Sequence, residues 1–333
     1  ALRPIRDQEA TLAEIDAQIA QSGRTPELDK RRERVAKLAA ASRSDAERDP
    51  LAAYAERGGG VAPGVDVSSL DTLAQTLQAR AEHAVTVGRW AGRTVSPLSP
   101  VEADRVADQL AALPVEQRSA RVAQLASAMT PQQAQALAKQ MDGKNRALAL
   151  EFAAGSSKTA SGKYVAEWIA RGNQALKDKT VKEDTTTTTG LRKSIAEHIG
   201  DSLRGPIRED VIDAARLVYI GQQSAGLSPS PQGAVALALG GPLTEHAGKR
   251  IPVPQGINLA DKLQRYPVQD IAAQAPDGFV YLPGGRPMGV PEFLGALPSA
   301  QLEPAGYGRY VVRSGGSLVL NQRREPVVID VIK

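Results

Sequence analysis

Ser99-Pro100-Val101-Glu102 and Thr130-Pro131-Gln132-Gln133 are the two tetrapeptides on which the reading of the fold turns. Each offers a hydroxyl at the N-cap, a proline at the first helical position and an acceptor three residues after the cap, which is the capping-box pattern. The Ala- and Gln-rich stretch they punctuate, Ser99 to Gly155, returns its apolar residues at helical spacing. Val106, Leu110 and Leu113 make one stripe, and Val115, Val122, Leu125 and Met129 make a second after Pro114 opens another segment. Ala134, Leu137 and Met141, then Leu148 and Phe152, complete the series. Each stripe predicts a helix with one buried face. Connections of only a few residues predict neighbours packed roughly antiparallel, with alanine permitting close approach. No cluster of chemistry-capable side chains interrupts the block, so it reads as a packing module.

The bulk numbers agree with a mainly α chain. A length of 333 residues predicts about two domains, and 42% hydrophobic residues suffice for a core. Aromatics are only 4%, so Ala, Leu, Val and Ile must build that core, which favours thin helical packing over a deep ligand pocket. The net charge is +4, yet bases and acids balance one for one in 1–60, 61–98, 99–155 and 206–260. The excess sits mostly in 156–205, with nine bases against six acids. A dedicated nucleic-acid binder concentrates Lys and Arg on a folded face, so that role is disfavoured, while weak DNA contact by 156–205 stays open. The absence of cysteine excludes disulfides and thiolate metal sites. No signal peptide and no apolar run of about 18 residues is present. The chain begins Ala1-Leu2-Arg3, which reads as a fragment or processed product.

In chain order, Ile5, Leu12, Ile15 and Ile19 stripe a first helix closed by Gly23. Thr25-Pro26 starts a second, with Leu28, Val35 and Leu38, to about Ala41. The pair predicts a helical hairpin with a narrow seam. Lys30, Arg31, Arg32, Arg34 and Lys37 form a basic cluster on its second helix, read as a solvated face paired with Glu27, Asp29 and Glu33. Ser44-Asp45-Ala46-Glu47 offers a further capping box for a helix to Arg57, so the first segment is 1–57. A helical body, 66–176, follows the Gly58-Gly59-Gly60 break, with one helix from Ser69 to about Gly88 and another from Tyr164 to Leu176. The polar tract 177–190, with five consecutive threonines, predicts a flexible linker or loop. Segment 191–245 predicts helices over Leu191–Leu203, Pro206–Gln223 and Pro231–Leu239. From 249 to 333 the pattern turns to period two. Strands are expected at 250–253, 279–282, 309–312, 317–320 and 326–331, with short helices at 259–265 and 291–297, giving a small α+β domain that ends in a β-meander.

Chemistry is hard to place on this chain. His83, His198 and His246 stand apart, without the paired spacing a catalytic metal requires. The run Gly155 to Tyr164 fails as a phosphate loop, because six residues separate its glycines and Tyr164 stands where Ser or Thr should hold magnesium. Glu197, beside Ile195 and His198, is the nearest approach to a pocketed carboxylic acid, and it reads better as a solvated helix residue. No GxSxG elbow exists. The residues therefore nominate no catalytic, cofactor or metal site and no small-molecule substrate.

Several phrases resemble the large virion proteins of tailed phages and prophages that carry a lytic transglycosylase domain. They are Asp16 to Gln21 (DAQIAQ), Arg24 to Asp29 (RTPELD), Asp49 to Tyr54 (DPLAAY), Val87 to Arg93 (VGRWAGR) and Ala147 to Gly155 (ALALEFAAG), with Gly308 to Asp330 similar in character. The resemblance covers most of the chain and lies in the region beyond the enzyme. It implies a structural component of the infecting particle, internal or tail-associated, that enters or crosses the host cell envelope during DNA ejection. Other virion proteins and copies of itself are the implied partners, with contact to DNA or peptidoglycan open. The enzyme's own motifs are missing: there is no Glu-Ser pair opening a helix, no Gly-Leu-Met-Gln, and Ala55 follows Ala52-Ala53-Tyr54 where that family has asparagine. Any murein-cutting part of a parent protein lies outside these residues.

Overall fold

In the computed structural model, which describes residues 3–155, 157, 162–181, 185–203, 205–306 and 308–332, the chain forms two units, Ala1–Ser156 and Ser157–Lys333. The first is all helix: α1 (Ile5–Ser22), α2 (Pro26–Arg48), α3 (Pro50–Glu56), α4 (Leu70–Ala91), α5 (Pro100–Ala111), α6 (Val115–Ser127), α7 (Pro131–Asp142) and α8 (Arg146–Ala154). Two of the three expected capping boxes form, Ser99 with Glu102 and Thr130 with Gln133. The stripes are buried along most of their length, with Val106, Leu110, Val122, Leu137, Met141 and Phe152 fully enclosed and Leu113, Val115 and Met129 half-buried at helix ends.

Two boundaries in this unit differ from the sequence reading. The box at Ser44 opens no helix, because α2 runs unbroken from Pro26 to Arg48. The break falls at Asp49-Pro50, where the proline cannot continue a helix and the Asp49 carboxylate caps α3 by accepting from the Ala52 amide at 3.1 Å. Similarly α4 passes through Gly88 and stops at Gly92, which adopts φ 70°, the left-handed C-cap conformation. Gly88 is needed for a different reason: a Cβ there would stand 2.8 Å from the Arg93 carbonyl oxygen, where the chain folds back over the helix end.

The second unit opens with α9 (Val165–Lys177), α10 (Thr185–Ile199), α11 (Gly205–Ser224) and α12 (Pro231–Ala238). The tract 177–190, expected as a linker or loop, is helical from Thr185, and 182–184 lie outside the described residues. Threonine costs a helix only about 0.7 kcal/mol per residue, and Ile195 and Ile199, both fully buried, anchor α10. Helices α9 and α11 cross so closely that a Cβ on Gly172 would lie 2.0 Å from the Leu217 carbonyl oxygen, and one on Gly221 2.2 Å from that of Trp168. Glycine is the only residue that fits at either position.

The remainder is α+β, as expected. It comprises β1 (Leu243–His246), β2 (Lys249–Pro252), α13 (Leu259–Gln264), α14 (Val268–Ala272), β3 (Phe279–Tyr281), β4 (Pro287–Gly289), α15 (Val290–Ala296), β5 (Gln301–Gly306), β6 (Arg309–Ser314), β7 (Ser317–Leu318) and β8 (Val328–Asp330). Strands β1–β2 and β3–β4 are antiparallel pairs, and β5, β6 and β7 follow one another antiparallel. The last strand, β8, returns to β6, placing Ile329 opposite Tyr310. Ile251, Tyr310, Val312, Val327 and Ile329 are central to the core, which α13 and α15 cover with Leu263 and Phe293.

Candidate functional site

The capping boxes of the first unit do more than start helices. Glu102 takes the Ser99 amide on Oε2 at 2.8 Å and the Arg80 guanidinium of α4 on Oε1 at 3.2 Å. Gln133 accepts the Thr130 amide at 3.0 Å and donates its Nε2 to the Ala81 carbonyl of α4 at 2.7 Å. The choice of acid or amide at the third position thus follows its α4 partner, a cation for Glu102 and a carbonyl for Gln133. Gln109 donates to the Val67 carbonyl at 2.6 Å, which pins the loop before α4. Deepest of all is an ion pair between α6 and α8: Arg118 Nε lies 3.0 Å from Glu151 Oε2, with the Glu151 side chain 1% exposed. These contacts fix relative helix positions, and none leaves a convergent set of groups facing solvent.

The residues singled out by sequence lie apart. His83 stacks edge-on against Tyr54 at 5.8 Å, and Tyr54 meets Trp90 at 5.7 Å. Burial, then the nearby Arg80 charge, pushes the His83 pKa below its ordinary 6.5. His198 is lowered likewise by burial and by Arg250. His246 Nε2 lies 3.0 Å from the Ala300 carbonyl oxygen. Glu197 is exposed and 3.8 Å from Lys193. Half of the 155–164 run lies outside the described residues; its Lys163 sits 3.2 Å from Glu167 and 5.1 Å above the Trp168 ring. Among the described residues, no three His, Asp or Glu could hold a metal ion together, and no helix is long and apolar enough to cross a membrane.

Two shallow grooves stand out among the described residues. One, of about 430 Å³, lies in the second unit between Asp261, Arg265, Tyr266, Asp270 and Asp330. Tyr266 Oη accepts the Asp330 amide at 2.9 Å there, and Asp330 lies 3.6 Å from Arg309. The other, of about 390 Å³, lies at the foot of the hairpin between Arg6, Glu9, Arg43, Glu47 and Arg93. Both are lined by charges of both signs, and in each an ion pair is already made, Arg265 with Asp261 in the first and Arg43 with Glu9 in the second.

The hairpin itself is the most open part of the first unit. Its register is set at the foot by Ser42, which donates to Gln8 at 3.0 Å in a buried contact, and by Arg43 pairing with Glu9, and further along by Arg32 pairing with Asp16. Ile5, Ile15, Ala39 and Ala46 are buried. Toward the tip Ile19, Leu28 and Val35 are only half-buried, and Leu38 is 49% exposed. The basic cluster is a solvated face, as expected, but none of its members comes within ion-pair distance of Glu27, Asp29 or Glu33, and of those three acids only Asp29 acts on Arg32, through its charge. Arg32 pairs across the hairpin instead, and Asp29 lies 4.0 Å from Arg24. Sequence reasoning missed this cross-hairpin route because i,i+4 bookkeeping considers one helix at a time.

Set against protein-family models, curated proteins and solved structures, the chain matches none.

Proposed function

We propose that the chain is a structural component of a tailed-phage particle, internal or tail-associated, that works through helix packing and oligomeric assembly during DNA ejection and envelope penetration. The virion assignment rests on the phrases from Asp16 to Gly155 quoted above. The observation that carries the mode of action is how the polar groups of α5 to α8 are used: Glu102, Gln133, Arg118 and Glu151 are all committed to holding helices. A protein that must keep its shape while packing against neighbours needs such fixed contacts and no reacting group. In this reading the chain has no cofactor and no small-molecule substrate, resides in the virion, and reaches the host envelope on infection. Its partners are other virion proteins and further copies of itself.

The reading is tested by sedimentation and by digestion. The chain should co-sediment with intact particles of the phage or prophage that encodes it, and should release no soluble muropeptides from purified murein. Sedimentation away from particles overturns the structural role. Muropeptide release overturns the non-catalytic one and favours the alternative, that the chain is a working part of a peptidoglycan-processing virion enzyme.

A further inference from the structure

The two edges of the α1–α2 hairpin are unlike. Glu9 and Asp16, seven residues apart, share one flank of α1, and Arg32 and Arg43, eleven apart, share the facing flank of α2. Their two ion pairs close that edge. On the other side of the seam lie Arg31, Arg34 and Leu38 on α2 and, turned further toward the back of α1, Asp7 and Glu14. All five are exposed, and among the described residues Glu14, Arg31 and Arg34 form no ion pair. The contacts Asp16 to Arg32, Glu9 to Arg43 and Gln8 to Ser42 fix the level of each helix against the other. They bring Glu14 to the level of α2 between Arg34 and Leu38. One short band of the open edge therefore holds a carboxylate on one helix, guanidinium groups on the other, and an exposed leucine beside the half-buried Val35.

We infer that this open edge is a two-fold contact between two copies of the chain, in which Glu14 of each copy meets Arg31 and Arg34 of the other and Leu38 is covered. A two-fold contact needs a patch that complements itself, so that when residue i meets residue j, j also meets i. An acid on one helix and bases on the other, at one level of an antiparallel pair, satisfy that requirement without any second surface. The apolar part follows the same logic. A two-helix seam cannot enclose its own stripe, and a second hairpin laid along it makes a four-helix arrangement whose flanking charges select the partner. A polyanion would engage Arg31 and Arg34 but leave Glu14 facing like charge and Leu38 uncovered, so a second copy fits the edge better. The inference rests on the self-packing in the proposed role and specifies where it occurs.

Sedimentation equilibrium of the whole chain, over about 1 to 100 µM, tests it. The unaltered chain should form dimers. Leu38→Glu and Glu14→Lys should each weaken dimerisation by about ten-fold or more. The swap Glu14→Lys with Arg31→Glu and Arg34→Glu should restore it to within a few-fold, which a merely damaged surface would not do. All of these positions are exposed, so circular dichroism should show unchanged helix content. Association indifferent to the three variants would overturn this contact while leaving self-packing by another surface intact. A chain strictly monomeric at every concentration would overturn both the contact and the self-packing of the proposed role.

Discussion

The α5–α8 block and the α1–α2 hairpin begin from similar ingredients and reach different ends. Both are alanine-rich, charge-balanced and striped at helical period, and both start helices at Ser-Pro or Thr-Pro. In the block the centre of every stripe is enclosed and only Leu113, Val115 and Met129, at helix ends, are half-buried, because α5 packs on α6 and α7, α6 on α4 and α8, and α7 on α8. In the hairpin, α2 has only α1 and α3 as major neighbours, and the seam opens from Ile15 toward the tip. A helical stripe therefore fixes which face seeks burial, while burial itself depends on a third element. Burying apolar surface contributes roughly 25 cal/mol per Å², so the hairpin tip contributes less to stability per residue than the block.

The sharpest way to break this contrast is at the block's buried ion pair. Glu151→Ala strands the Arg118 charge in the core and should cost about 3–5 kcal/mol, read by urea denaturation as a lower midpoint. Next comes a matched pair of truncations. Leu137→Ala, at a fully buried site, should cost about 2–5 kcal/mol. Leu28→Ala, at a half-buried one, should cost below about 1 kcal/mol in dilute solution. Equal losses would show that the hairpin seam is as well enclosed as the block. A third comparison separates two identical-looking start signals: Ser99→Ala removes a working cap and should cost about 1 kcal/mol, whereas Ser44→Ala, inside α2, should leave thermal stability almost unchanged.

The smallest effect lies at the hairpin's foot, where Ile5 packs in one cluster with Tyr54 and Trp90, and Tyr54 stands edge-on to His83. The folded chain holds His83 and His198 below their ordinary pKa of 6.5, so the unfolded chain binds more protons as pH falls past that value. The contribution of these neutral imidazoles is complete above about pH 6.5 and is lost progressively below it. Thermal melts at about pH 8 and about pH 5 should show the lower Tm at acid pH, and His83→Gln should reduce that difference. A Tm independent of pH across this interval would contradict the burial of these rings.

Much of the fold was legible in the sequence, for reasons particular residues make clear. Ser99, Thr130 and their prolines carried their helix starts unambiguously, because the cap, the proline and the third-position acceptor all agree. Ser44 carried the same local pattern and misled, since α2 runs unbroken through it and Asp49-Pro50 supplies the stronger stop. Strand β1 escaped notice because its tight turn is Ala247-Gly248, both left-handed at φ 47° and 74°, where Asn-Gly is the usual signal. Strands β4 and β5 contain Pro287 and Pro304, residues that argue against a strand until the pairing is seen. The open hairpin edge was legible only in part. Its basic cluster stood out, but the partners of that cluster depend on the register between two helices, which no single-helix pattern encodes.

The contrast between a self-sufficient block and an incomplete hairpin is tested most directly by hydrogen–deuterium exchange followed helix by helix at two protein concentrations. Amides of α5 to α8 should be strongly protected at both. Those between Ile19 and Val35 should exchange quickly in dilute solution and gain protection as concentration rises. Tip amides as protected as the block in the dilute sample, with no dependence on concentration, would contradict the account.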